Sequence, residues 1–225
     1  VKYFSTAENS KRRFARLCNR VESGVLGRNP DEFYRVVLTT REGDDNSWPT
    51  MVKHLKLLRQ QLQYKGIPFE YIFAPHISDI KGLLHLDGLV WERSGALNVL
   101  QLQVLWLNIH GANQVMYKHL SRPELLEALV RYIVSHMFKD YDKIIEFKGR
   151  ALVSKGWMPE GWQDVRSALV RRAVDKTPIL GRGAWVLMNN MYRRWLCGER
   201  IVVEVEGVRV AFQRKDVYVK IGGEI

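Results

Sequence analysis

The 225-residue chain carries 35 Lys+Arg against 24 Asp+Glu, a formal net charge of +11, and this surplus points to a polyanionic partner, nucleic acid first and an acidic membrane second. Its length suffices for one large domain, or for one of ordinary size with an appendage, and plentiful Leu, Val, Ile and aromatics exclude disorder over most of it. No apolar run reaches the roughly 18 residues of a membrane span, the first residues lack the short apolar block of a signal peptide, and Cys18 and Cys197 make neither a disulfide framework nor a ligand cluster. The expectation is a soluble, cytoplasmic protein with both cysteines in its core.

Along the chain, residues 11–20 set Phe14, Leu17, Cys18 and Val21 at helical spacing against a cationic opposite face. That pattern suits either a solvated helix or an arm contacting phosphates. Residues 33–40 are rich in β-branched and aromatic side chains and read as a strand. A helix follows after Asp44, Asp45, Asn46 and Ser47, any of which could cap it, with Met51, Leu55, Leu58 and Leu62 as its buried stripe and Gly66 closing it. Two strands, residues 68–75 and 82–91, are joined by a short link and make a hairpin. Residues 96–107 fit both periods, with Leu97, Leu100, Val104 and Leu107 at helical spacing and 99–105 alternating, and are taken as a helix, and 113–117 as a short strand. Ser121-Arg122-Pro123-Glu124 is a capping box opening a strong helix through Leu125, Leu126, Leu129, Ile133 and Met137. The order βαββαβα predicts an α+β fold, an antiparallel sheet backed by helices of ferredoxin-like or RNA-recognition-motif architecture. From Gly149 the chain becomes turn-rich, with helices expected near 162–174 and 184–196 and strands at 201–205, 208–212 and 217–221. This C-terminal helix-plus-hairpin extension could be winged-helix-like and DNA-binding.

The stretch 82–91 puts two metal-capable side chains into an apolar strand. Residues two apart share a face, so His85 and Asp87 project together, roughly 6 to 7 Å apart. If the hairpin link is centred on Ile80 and Lys81, His76 lies directly across from His85 and joins the same face. Two imidazoles and a carboxylate suit Mg2+, Mn2+ or another transition metal with positions left for substrate. Glu70 has the right parity but sits about 20 Å up the strand, and Asp79 is an outer-shell candidate. The matching reactant is Tyr132 on the capped helix, with Ser135, His136 and Lys139 on its face and Tyr141 as the substitute. A cation and a polarised phosphate would let the phenol attack, forming a phosphotyrosine.

This order of motifs resembles the HUH endonucleases (His-hydrophobic-His), especially the rolling-circle replication initiators of plasmids and viruses. Val36-Val37-Leu38-Thr39-Thr40 is similar to the first motif, His76 with His85-Leu86-Asp87 to the second, and Tyr132 with its following lysine to the third. Val153-Ser154-Lys155-Gly156-Trp157 resembles the segment that follows the tyrosine. The likeness covers about residues 33–162. Carboxylate and second histidine look exchanged, since His76 stands where an acid is usual and Asp87 where a histidine is usual, and Ser135 stands where a lysine is usual. The single-tyrosine branch fits better than the two-tyrosine branch.

Three segments are expected: a basic helical one at 1–30, a core at 31–150 that the resemblance implies is an endonuclease, and the extension at 151–225, both ends lying outside the likeness. The resemblance also implies metal-assisted nicking and joining of single-stranded or hairpin DNA at a replication origin, with Tyr132 as nucleophile, Lys139 and His136 beside it, and a helicase or host replication proteins as possible partners. Thr39, Thr40, Arg166, Arg171, Arg172 and Trp157 are the expected DNA contacts, Trp157 by stacking on a base. A relaxase or transposase would share this chemistry. Outside it stand a non-catalytic sheet that binds single strands and a repressor using its C-terminal helices.

Overall fold

The computed structural model describes residues 6–43, 47–78, 82–112, 114–120, 151–176, 182–205 and 207–217. The chain divides into two units: α1 (Thr6–Val25) as far as Val21 groups with residues 30–157, and residues 22–29 group with 158–225. Most of the N-terminal helix thus groups with the sheet, and the second unit resumes at Met158.

The first unit is α+β, and its strands β1 (Phe33–Leu38), β2 (Glu70–Ile77), β3 (Leu84–Trp91), β4 (Val115–His119) and β5 (Leu152–Val153) form one sheet in the order β4-β1-β3-β2-β5. Every pairing in it is antiparallel. Between the strands run α2 (Trp48–Tyr64) and α3 (Val99–His110). Ser47 caps α2 by accepting from the Thr50 amide, Pro49 stands in its first turn, and Met51, Leu55, Leu58 and Leu62 are its buried stripe, as the periodicity predicts. Alternation along the strands sends Val36, Leu38, Phe73, Leu86 and Val90 to the face that packs on both helices. The helices are joined to each other by the His54 and His110 Nδ1 atoms, 2.9 Å apart.

Of the residues at helical spacing around α3, Leu97, just before it, is buried, but the spacing does not mark the buried face of the helix. Leu102, Leu105, Trp106 and His110 are buried, while Leu100, Val104 and Leu107 are 66, 48 and 44% exposed. The helix has no charged side chain to mark a solvent side, and two polar contacts set its phase: a capping box of Asn98 with Gln101, and the Trp106 indole donating to the Thr39 carbonyl at 2.8 Å.

The second face of the sheet carries Arg35 and Val37 from β1 with Thr39 just past its end, His85, Asp87 and Leu89 from β3, and Ile72, Ala74 and His76 from β2. At one end Phe33, Ile72 and Leu89 are fully buried, Phe33 against Trp157 with ring centroids 6.0 Å apart and planes at 86°. The segment after the tyrosine motif closes the β2 edge. Ser154 exchanges backbone and side-chain bonds with Tyr71, and the Gly156 amide donates to Glu70, whose other oxygen accepts from Arg59.

In the second unit α4 (Trp162–Lys176) and α5 (Arg182–Leu196) pack with a hairpin of β6 (Ile201–Val205) and β7 (Val208–Phe212) around Val165, Leu169, Tyr192, Trp195 and Ile201. Arg214 ties it together, donating from Nη1 to the carbonyls of Leu26 and Leu196 at 2.6 and 3.0 Å while Asp216 accepts from its Nε. Gly27, with φ 75°, is needed where a Cβ would stand 2.3 Å from that same Leu196 oxygen. Apart from Val217, the third expected strand lies outside the described residues. Neither cysteine is in a core: Cys18 is half-buried and Cys197 exposed, because Cys197 follows the last turn of α5. No helix among the described residues is long and apolar enough to cross a membrane.

Candidate metal centre

The site is built on the β2–β3 hairpin. Ser78 donates its amide to the Leu83 carbonyl and Gly82 donates back to Ser78, both at 2.9 Å, with Gly82 in the left-handed region at φ 64°. This closure puts His76 directly opposite His85, the register expected from the sequence. Their rings are 6.3 Å apart between centroids. Both are half-buried, and burial, followed by the neighbouring His76, lowers the His85 pKa while Asp87 partly restores it. A lowered pKa keeps the His85 ring neutral near pH 7, the form in which an imidazole ligates a metal.

Asp87 shares the face but does not stand ready as a ligand. Arg35, one strand over on β1, holds both its oxygens in a fork, Nε to Oδ1 at 3.2 Å and Nη2 to Oδ2 at 2.8 Å. Among the described residues no set of three His, Cys, Asp or Glu is gathered closely enough to hold a metal ion. Two neutral imidazoles are chemically capable metal ligands, while the Asp87 carboxylate is engaged by its arginine. Sequence reading missed Arg35, although a lone cation inside the apolar run Phe-Tyr-Arg-Val-Val-Leu is the same kind of signal that singled out His85 and Asp87. These groups open onto a pocket of about 660 Å³ whose lining includes Arg35, Thr39, His76, His85, Asp87 and Gln114.

Of the remaining expected residues, Thr39 lines this pocket and donates its hydroxyl to the Gln114 carbonyl at 2.5 Å. Thr40 does not serve as a DNA contact, because its buried hydroxyl donates to the Leu84 carbonyl at 2.8 Å and pins the end of β1 to the hairpin. Nor can Trp157 stack on a base: it is 0% exposed and its indole donates to the Arg20 carbonyl at 2.9 Å. In the second unit Arg171 is exposed, whereas Arg166 lies over the Tyr192 ring at 5.7 Å and Arg172 reaches the Met191 sulfur at 3.3 Å. Glu70, bound by Arg59 and Gly156, is no ligand, as its distance along the strand implied. Tyr132, Ser135, His136, Lys139, Tyr141 and Asp79 lie outside the described residues.

The His85 environment makes a measurable prediction. In NMR titrations His85 should titrate below 6.5, and Asp87→Asn should lower its pKa further by removing the one carboxylate that opposes the shift, while His76→Ala should raise it. An unchanged value in both variants would remove the electrostatic coupling of the three residues.

No protein-family model, curated protein or solved structure matches the chain. Fold and site geometry therefore define the class of the molecule as far as an α+β protein with an antiparallel sheet that displays a histidine pair.

Proposed function

We propose that the sheet unit is a metal-assisted nuclease and strand transferase acting on single-stranded or hairpin DNA, of the HUH type that initiates rolling-circle replication. The observation that carries this reading is the opposed His76–His85 pair with Asp87 on one face of a five-stranded antiparallel sheet. Supporting it, the succession β1-α2-β2-β3-α3-β4 with strand order β4-β1-β3-β2 is that of a ferredoxin-like sheet, on which β5 is an added edge. The net charge of +11 favours a polyanionic substrate.

His76 and His85 would hold a divalent ion, Mg2+ or Mn2+, which supplies Lewis-acid polarisation of the scissile phosphate. Tyr132 is the proposed nucleophile. Its phenolate oxygen bonds to phosphorus as the P–O bond to the 3′ oxygen breaks, so that the enzyme keeps the 5′ phosphate and the released 3′ oxygen takes a proton. Lys139 and His136 are the neighbouring groups proposed to assist proton loss from the phenol, Thr39 and Arg171 to contact the strand. Attack by another 3′ hydroxyl reverses the step and joins strands.

The test is incubation with a labelled pool of random-sequence single strands and hairpins in Mn2+. A covalent protein–DNA adduct should form, vanish in Tyr132→Phe, and fall roughly 100-fold or more in rate in His85→Ala. Adduct formation unchanged by Tyr132→Phe removes the nucleophile, unchanged by His85→Ala removes the metal pair, and no adduct from any strand overturns the reading.

A further inference from the structure

Asp87 is the carboxylate next to the histidine pair on its face of the sheet, and it is already held by a cation. We propose that Arg35 and the divalent ion compete for Asp87, so that occupation of the metal site hands the Arg35 guanidinium to a DNA phosphate. The proposal rests on the nuclease reading above and adds to it a coupling between metal and substrate.

Four observations carry it. Arg35 and Asp87 come from adjacent strands and point to the same face as His76 and His85, so one carboxylate is within reach of both claimants. The fork takes both Asp87 oxygens, occupying one lone pair on each, so a metal approaching the carboxylate meets the guanidinium charge and only the remaining lone pairs until the fork opens. The Asp87 side chain is 7% exposed, and removing the cation beside a carboxylate that deep is costly. Replacing guanidinium by a divalent ion keeps a cation there, which makes exchange far less costly than simple opening. Finally, the Arg35 side chain is 24% exposed and lines the pocket with Thr39 and Gln114. Its planar fork suits a phosphate as well as it suits a carboxylate.

Linkage then runs both ways: a phosphate that draws Arg35 away releases Asp87 to the metal, and a metal on Asp87 releases Arg35 to the phosphate. Asp87 stands two residues beyond His85, where the resembled motif has its second histidine. An aspartate at this position is thereby a shared ligand.

The experiment is a Mn2+ titration of the full chain by electron paramagnetic resonance, with and without a single-stranded oligonucleotide, alongside oligonucleotide binding in EDTA. In the wild type the oligonucleotide should tighten Mn2+ binding roughly tenfold. Arg35→Met should bind Mn2+ roughly tenfold more tightly than the wild type without DNA, gain nothing on adding it, and bind the oligonucleotide more weakly. Adding Asp87→Asn to Arg35→Met should abolish the gain. Arg35→Lys keeps the charge and loses the fork, so it should fall between, and it decides the matter if circular dichroism shows that Arg35→Met does not fold. Mn2+ binding no tighter in either Arg35 variant than in the wild type, with His76→Ala and His85→Ala still weakened, overturns the competition and leaves the metal site standing. Mn2+ binding untouched by both histidine variants overturns the metal reading itself.

Discussion

Trp157→Ala should destabilise the protein by about 3 to 5 kcal/mol, the cost of emptying a large buried aromatic site. Trp157 is 0% exposed, meets Phe33 edge-on and donates to the Arg20 carbonyl. It thus joins the end of β1, the N-terminal helix and the segment after β5 in one cluster. Trp157→Phe keeps most of the apolar contact but leaves that carbonyl without its indole donor, a loss of about 1 to 3 kcal/mol. Urea unfolding should show both losses as lower midpoints at unchanged slope. A tryptophan kept for stacking on bases would behave the other way, weakening oligonucleotide binding at constant stability, and a midpoint within error of wild type for Trp157→Ala would restore that role.

Gly88→Ala should be the most damaging one-methyl change in the sheet. A Cβ there would lie 2.2 Å from the Ile72 carbonyl oxygen, 2.6 Å from Cδ1 of Phe73 and 2.8 Å from the Phe73 Cα. Two of the three atoms are backbone, and β3 is held between β1 and β2, so the strand has nowhere to withdraw. Overpacking that forces backbone apart costs at least about 3 kcal/mol here, at the upper end for such insertions. Because Asp87 is the adjacent residue, the displaced strand would also disturb the Arg35 fork. Thermal unfolding decides it, and a Gly88→Ala protein melting with the wild type would show that the sheet relaxes more freely than its packing implies.

Local pattern made much of the fold legible. The β-branched and aromatic run at 33–38, the 51-55-58-62 stripe behind four possible caps of which Ser47 is the one used, and the hairpin register all rest on interactions within a dozen or so residues, and each is seen in the structure. The errors fall where the deciding partner is distant or where the local signal is symmetric. Helix α3 is apolar nearly all round, so periodicity could not choose between Leu100-Val104-Leu107 and Leu102-Leu105-Trp106; the Thr39 carbonyl, 67 residues from Trp106, chose. Trp157 sits among Gly and Pro, a composition that reads as exposed loop, while its burial depends on Phe33 and Arg20. The histidine pair was legible because a hairpin fixes it. The claim of Arg35 on Asp87 was not, because strand order had to be known before β1 could be set beside β3.

That difference in range orders events in folding. His76 and His85 are brought together by a single turn, and hairpins of this kind close in about 1 to 10 μs. Arg35 arrives from 52 residues away, only once β1 has docked and its loop entropy has been lost. A chain caught with β1 still undocked presents both imidazoles facing one another and Asp87 without its guanidinium. The face that carries the histidine pair and Asp87 is therefore set by the hairpin alone, and the arginine that binds its carboxylate is added by the tertiary fold.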